Sequence, residues 1–365
     1  MLRLLLTCAL LLGALEGSCG SCRLVSLQTP GQRAYFEMDR VAREDAFSNA
    51  TFRAGMLATD DRPAPVVLDW NAGTPPYAVT VTRDGRTVWS AKVPTRSAEV
   101  FNLEIARAYE WTAKDAKGDV VGTGRFRTAD EAPRILLVPG VPNVRDLGGR
   151  VGLGGRRIRQ GRVFRSAGWN NNATAQVQTN GLVVTTNYLP GASRLDPTIA
   201  DVYVKPLGIR TDLDLRSDRE CFGMTGSPLG KDVRWVHVSS GNYWDLAVPK
   251  WQAAFAESFR VFLDEANYPI VFHCIAGADR TGSLACILNG LLGVREDELA
   301  KDWEATGFDC AHPKLRHDIR WNPLIEVFDA YPGATLNDRI AAYVRACGFS
   351  DADIARFRAL MLETE

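Results

Sequence analysis

The sequence predicts a small β-sandwich followed by an α/β domain, and three observations carry that expectation. From about Leu24 to Thr128, short alternating apolar stretches are separated by turn residues. From about Ile135 onward, β-branched apolar runs alternate with helical patterns. Between them lies a short polar stretch ending in proline, Thr128-Ala129-Asp130-Glu131-Ala132-Pro133, which reads as a linker.

A chain of 365 residues exceeds one average domain, and 46% hydrophobic with 24% charged residues suffices for two buried cores. Lys plus Arg equals Asp plus Glu at 43 each, so no overall basic field gathers nucleic acid or an anionic membrane. Any anion must therefore be held locally. Arg3, the apolar run Leu4 to Leu15 and the small residues Gly17, Ser18 and Gly20 predict a signal peptide over residues 1–22. Export to a periplasmic or extracellular space is the expectation. The apolar run is too short to span a bilayer, and no later run reaches the roughly 18 residues needed. Lipid anchoring at Cys19 or Cys22 is the lesser expectation, because Glu16 and Cys19 suit poorly the position three before each.

The first domain, residues 23–130, takes its strands from Pro65 to Trp70, Tyr77 to Thr82, Thr87 to Trp89, Glu99 to Leu103, Tyr109 to Ala113 and Val120 to Arg127. Asp84-Gly85 predicts a tight hairpin, and Lys117-Gly118 turns the last pair. This spacing, with Trp70 and Tyr109 as placed, resembles a fibronectin type III-like or immunoglobulin-like module. A spacer role is favoured over ligand binding, and the pattern names no ligand.

The second domain, residues 131–365, shows strands at Thr211 to Leu215, Val233 to Val238 and Pro269 to His273. Helices fit Trp251 to Ala266, Thr281 to Leu292, Glu296 to Thr306, Asn337 to Ala346 and Asp351 to Glu363. The Asn- and Thr-rich stretch from Trp169 to Pro197 reads as an inserted loop or flap.

Chemistry concentrates in Val271-Phe272-His273-Cys274-Ile275-Ala276-Gly277-Ala278-Asp279-Arg280-Thr281-Gly282. A buried strand runs into a cysteine, five residues and an arginine, and a helix opens directly afterwards. Small residues let the backbone of Ile275 to Asp279 curl so that successive N–H groups converge, and the helix N-terminus adds partial positive charge. Arg280 supplies a planar guanidinium able to hold two phosphate oxygens at once. The same donors stabilise a thiolate, so Cys274 is expected to titrate below the free value of ~8.5 and to act as nucleophile. His273 is expected to fix the loop, and the Thr281 hydroxyl to donate to the sulfur. Cys310 and Arg316 repeat the spacing, but Pro313 removes an N–H, glycine is lacking and no apolar strand precedes them.

His273 to Gly282 resembles the signature of the protein tyrosine phosphatase superfamily. Asn143-Val144-Arg145-Asp146-Leu147-Gly148-Gly149, Phe164-Arg165-Ser166-Ala167 and Asp214-Leu215-Arg216-Ser217-Asp218-Arg219-Glu220 are similar, in order, to other blocks of bacterial atypical tyrosine or dual-specificity phosphatases. The resemblance runs from about Leu137 to Leu362 and leaves out the β-rich unit. It implies an α/β cysteine-phosphatase domain that hydrolyses phosphomonoesters through a cysteinyl-phosphate. Phosphotyrosine in proteins is the first expected substrate, then phosphoserine or phosphothreonine, then inositol or lipid phosphates. Members that act on phosphoinositides carry lysine where this chain has Ala278, so a phytase-like role is the weaker alternative.

A leaving oxygen needs a proton, and Asp279 and Asp245 are the candidate donors, with Asp245 slightly preferred for its place on a loop after a strand. Arg145, Asp146, Arg165, Asp214, Arg216 and Asp218 read as charged scaffolding, with Arg165 the one expected to reach substrate. His237, His273, His312 and His317 form no close-spaced metal pattern, and no cofactor is expected. A rhodanese-type sulfur transferase also cradles anions beside a cysteine, but Arg280-Thr281-Gly282 and the nearby acids favour phosphate. A non-catalytic exported binding protein is the reading from a different class. Eight cysteines in an exported chain place a reactive Cys274 where disulfides form.

Overall fold

The computed structural model describes residues 23–38, 62–169, 175–179, 182–186, 198, 200–221, 224–308 and 321–364. The expected leader and the Cys310 segment lie outside the described residues. The N-terminal part comprises β1 (Arg23–Val25), α1 (Pro30–Glu37), β2 (Val66–Asp69), β3 (Tyr77–Arg83), β4 (Arg86–Val93), β5 (Ser97–Val100), β6 (Ala108–Lys114) and β7 (Val120–Thr128). Five strands form a sheet in the order β1-β7-β6-β3-β4, and β2 pairs antiparallel with β5. Tyr77, Val79 and Val81 of β3 are buried while the residues between them are not, the period of two expected of a strand with one face on a core. They share one apolar cluster with Val66 and Val100 of the smaller sheet. At the β3–β4 turn Asp84 and Gly85 both take positive φ, 51° and 72°, which a two-residue type I′ hairpin demands.

Helix α1 was not expected, although Thr29-Pro30-Gly31-Gln32 carries its start signal. The Thr29 side chain accepts from Gln32 N, Gln32 reaches back to the Thr29 N–H, and Pro30 opens the helix. The helix buries Tyr35 and Phe36 against Ala305 and Phe308, far along the chain. Tyr35 meets Phe308 edge to face at 5.4 Å, and its hydroxyl donates to Glu304 at 3.1 Å.

The remainder is built from β8 (Arg134–Ile135), β9 (Arg145–Asp146), β10 (Val163–Ser166), β11 (Ala175–Thr179), β12 (Leu182–Thr186), β13 (Thr211–Asp214), β14 (Arg234–His237), α2 (Pro249–Val261), β15 (Ile270–His273), α3 (Arg280–Leu291), α4 (Glu296–Glu304), α5 (Trp321–Asp329), α6 (Leu336–Ala346) and α7 (Asp351–Met361). The main sheet runs β14-β13-β15-β10-β9-β8, its first four strands parallel and β9 and β8 antiparallel. This is an α/β arrangement, as the sequence predicts. Ile270 and Phe272 of the central β15 enter the cluster formed with α2, α3, α6 and α7, while Val271 joins Phe164 in a second cluster on the other face. A strand covered on both sides reads as an unbroken apolar run, which is why β15 was legible.

Some bounds differ. α2 ends at Val261, five residues short of expectation, and a 3-10 turn follows at Glu265–Asn267. α4 continues as a 3-10 turn through Phe308. Within the expected flap, β11 and β12 pair antiparallel as a two-stranded sheet, and most of the rest of that stretch lies outside the described residues. The stretch expected as a linker is partly built into the fold, with Thr128 fully buried and its hydroxyl donating to Glu104 O at 2.7 Å. Beyond it, Arg134 donates to Asp146 at 2.6 Å and to the carbonyls of Leu103 and Asn102. Asn102 and Leu137 exchange two hydrogen bonds, as do Gln160 and Ile105.

Candidate active site

β15 delivers His273 and Cys274 to the end of the sheet, and α3 begins six residues later at Arg280. The intervening loop is held from outside by its carbonyls. Ile275 O accepts from Gly168 N at 2.9 Å. Ala276 O and Gly277 O accept from Asn143 Nδ2 at 3.1 and 2.9 Å, and Gly277 O also from Arg165 Nη2 at 2.7 Å. Ala278 O and Asp279 O accept from Gly282 N and Ser283 N, the first bonds of α3. Across a planar trans peptide the next N–H points away from the carbonyl. Drawing these five carbonyls outward therefore turns the N–H groups of Ala276 through Arg280 to the opposite side, making the concave donor set an anion needs. Gly277 is required twice over: its φ is +65°, and a Cβ there would lie 2.4 Å from Ser166 O.

Cys274 lies at the base of this curl and is 2% exposed. Burial pushes its thiol up, but the Arg280 charge and the Thr281 hydroxyl and N–H outweigh it, so the thiol titrates below its ordinary value. The Thr281 hydroxyl is fully buried and makes no hydrogen bond of good geometry to any other group. Cys221, Cys286 and Cys347 contrast sharply, because burial pushes each of them up, Cys221 and Cys347 to about 12 and about 11. All four described cysteines are free thiols.

Arg280 is held by a fork of two bonds to Glu220, Nη1 to Oε2 at 2.6 Å and Nη2 to Oε1 at 3.1 Å. Glu220 in turn accepts from Ser217 N and Oγ, which fixes the carboxylate that orients the guanidinium. His273 lies wholly buried beneath the loop, its Nε2 3.0 Å from Asp212 and its Nδ1 3.1 Å from Cys274 O and 3.8 Å from Asp214. Burial disfavours its charge, but Asp214 and Asp212 together raise its pKa. Its contacts with Asp212 and Asp214 tie the end of β15 to β13. Asp214 also takes a fork from Arg216, Nε to Oδ1 at 2.9 Å and Nη2 to Oδ2 at 2.6 Å, and is held below the usual carboxylate range.

Behind the loop lies a buried charge cluster. Asp302 of α4 receives Arg145, Arg150 and Arg165. Arg145 also donates to Asn143, and Arg165 to Gly277, so the cluster grips the loop at two points. Burial and the neighbouring Arg165 bring Arg145 down to about 9, while the three arginines overcome burial to keep Asp302 ionised. Arg165 was expected to reach substrate, and this is corrected: its side chain is 0% exposed and braces the loop from behind.

The two candidate acids are placed differently. Asp279 sits on the loop beside Arg280, close enough to act on the Cys274 thiol, and receives a hydrogen bond from the Tyr243 hydroxyl. Asp245 caps a 3-10 turn at Tyr243–Ala247, accepting from Asn242 N and Nδ2 at 3.2 and 2.8 Å. Its preference over Asp279 is not supported, because its carboxylate is committed to that cap. Asp218 is exposed and 3.9 Å from His237.

Sequence reasoning gave no role to Asn143, Glu220, Tyr243 or Asp302. Asn143 and Glu220 at least fell within the quoted blocks. Asp302 had no signal, since an acid in Glu296 to Thr306 reads as the wet face of a helix. Among the described residues no cluster of three or more His, Cys, Asp or Glu is placed to hold a metal, and no helix is long and apolar enough to cross a membrane.

A mixed sheet whose central parallel strand runs into a cysteine, a loop of outward carbonyls and a forked arginine together fit the α/β domain of a phosphatase. Residues 136–186 and 191–363 match the tyrosine phosphatase family, and the chain belongs to it, in the bacterial atypical subgroup. A protein of Cupriavidus necator named a putative tyrosine-protein phosphatase is 31% identical over 175 residues, 45% of this chain. The match spans 59% of that relative's length.

Proposed function

We propose that this protein is an exported phosphatase that hydrolyses phosphomonoesters, phosphotyrosine in proteins first, through a cysteinyl-phosphate on Cys274. The observation that carries this reading is the lowered thiol of Cys274 within a loop whose five carbonyls are all drawn outward. The anion sits on the N–H groups of Ala276 to Arg280 with the Arg280 guanidinium on two of its oxygens. The Cys274 thiolate attacks phosphorus, the P–O bond to the leaving group breaks, and Asp279 gives the leaving oxygen its proton. Water then takes the phosphoryl group, returning a proton to Asp279 and the thiolate to Cys274. Thr281 stabilises the departing sulfur.

The depth of the thiol favours a long phosphotyrosyl side chain, and Ala278 offers no cation to a multiply phosphorylated ring. The N-terminal sheets serve as a fibronectin type III-like spacer over residues 23–130, with the catalytic domain over 131–365. Residues 1–22 direct export.

Hydrolysis of p-nitrophenyl phosphate by the purified chain, with reductant and chelator, tests this. Wild type turns over and Cys274→Ser does not; a folded but inert wild type, or an active Cys274→Ser, defeats it.

A further inference from the structure

Tyr243 packs in the main apolar cluster, and the proposed chemistry above gives it no part, yet it is held on three sides. It is 6% exposed and keeps a left-handed backbone at φ 49°, unusual for a bulky side chain and sustained only where the surroundings over-determine it. Its N–H donates to Ser283 Oγ of α3 at 3.3 Å. Its ring lies edge-on to Trp303 of α4 at 5.7 Å, and Trp303 in turn meets Trp321 of α5 at 5.4 Å. Gly282 permits this packing, since a Cβ there would come within 3.1 Å of the Trp303 ring. The capping box of Asn242 and Asp245 fixes the turn that carries Tyr243. From this mount the hydroxyl donates to Asp279 Oδ1.

We propose that Tyr243 is a positioning residue for leaving-group protonation, its hydroxyl fixing Oδ1 of Asp279 so that Oδ2 carries the proton to the leaving oxygen. This rests on the phosphatase reading and on Asp279 as the acid. In the first step the P–O bond breaks, the proton moves from Oδ2 to the leaving oxygen, and the new carboxylate keeps the Tyr243 hydrogen bond. In the second step water gives that proton back as the S–P bond breaks. A carboxyl held at one oxygen has fewer orientations to lose on the way to the transition state. The effect grows with the need of the leaving group for a proton.

The test is a leaving-group series on the full chain. Tyr243→Phe keeps the ring and its packing and removes only the hydroxyl. It is expected to lower kcat/KM for phenyl phosphate by about tenfold to a hundredfold, part of the 10²–10⁴ that a positioned acid contributes. For p-nitrophenyl phosphate, whose leaving group needs little help, the loss is expected to stay within about twofold. Inhibition by inorganic phosphate stays at the wild-type value, and Tyr243→Phe adds nothing on top of Asp279→Asn. Equal losses on both substrates, or additive losses with Asp279→Asn, overturn the proposal. If Asp245→Asn steepens the leaving-group dependence and Asp279→Asn does not, the acid is Asp245 and the role of Tyr243 falls while the phosphatase reading stands. An active Cys274→Ser would instead remove the reading beneath both.

Discussion

At the scale of single residues the site is a contest between burial and charge. A thiol as buried as Cys286 is pushed up, whereas Cys274, equally enclosed, is brought down by Arg280 and Thr281. Removing the Thr281 hydroxyl in Thr281→Ala takes away one of the lowering contributions, so the Cys274 pKa rises. A smaller fraction is then thiolate on the acid side. Alkylation of Cys274 by iodoacetamide at about pH 6 is expected to slow severalfold in the variant and to converge with wild type above the free-thiol value of ~8.5. An unchanged pH profile of alkylation would show that Thr281 does not act on the sulfur. Glu220 works one step further out, since its fork fixes the guanidinium without touching the anion.

At the scale of elements, what β15 and α3 contribute is less their own stability than the direction in which they leave the loop between them. Asn143 and Arg165 complete the curl, and Asp302 of α4 holds Arg165 and Arg145 in place. Gly277→Ala forces a Cβ against Ser166 O at a left-handed φ, a strain of about 1–3 kcal/mol. Asp302→Asn leaves three buried arginines around a neutral amide, and breaking such a pair costs about 3–5 kcal/mol. Both variants are expected to lower the denaturation midpoint and weaken inhibition by inorganic phosphate. Wild-type phosphate inhibition in a destabilised Asp302→Asn would mean that the cluster supports the fold and not the loop. The loop itself was legible in the sequence, because a doubly covered strand, small residues and Arg280 leave local signals. The brace was not, because Asp302 lies 137 residues from Arg165 and its helix reads as amphipathic without it.

At the scale of the whole molecule, the two parts are not joined by a free tether. The exchanges between Asn102 and Leu137 and between Gln160 and Ile105 bind the β-rich part to the edge of the main sheet, and α1 packs on the end of α4. Several strands of the β-rich part and the hairpin between β3 and β4 could be read from alternation and from Asp84-Gly85. The docking of α1 could not, since eight residues with one cap signal do not say which distant surface they cover. Every role assigned to these residues serves one step, formation of the covalent intermediate on Cys274. Rapid acid quench of the chain with a labelled aryl phosphate, followed by peptide mapping, tests it most directly. Label is expected on the peptide that holds Cys274, absent from Cys274→Ser and accumulating when Asp279→Asn slows its hydrolysis. Turnover without label at any time, or label on a peptide lacking Cys274, would contradict it.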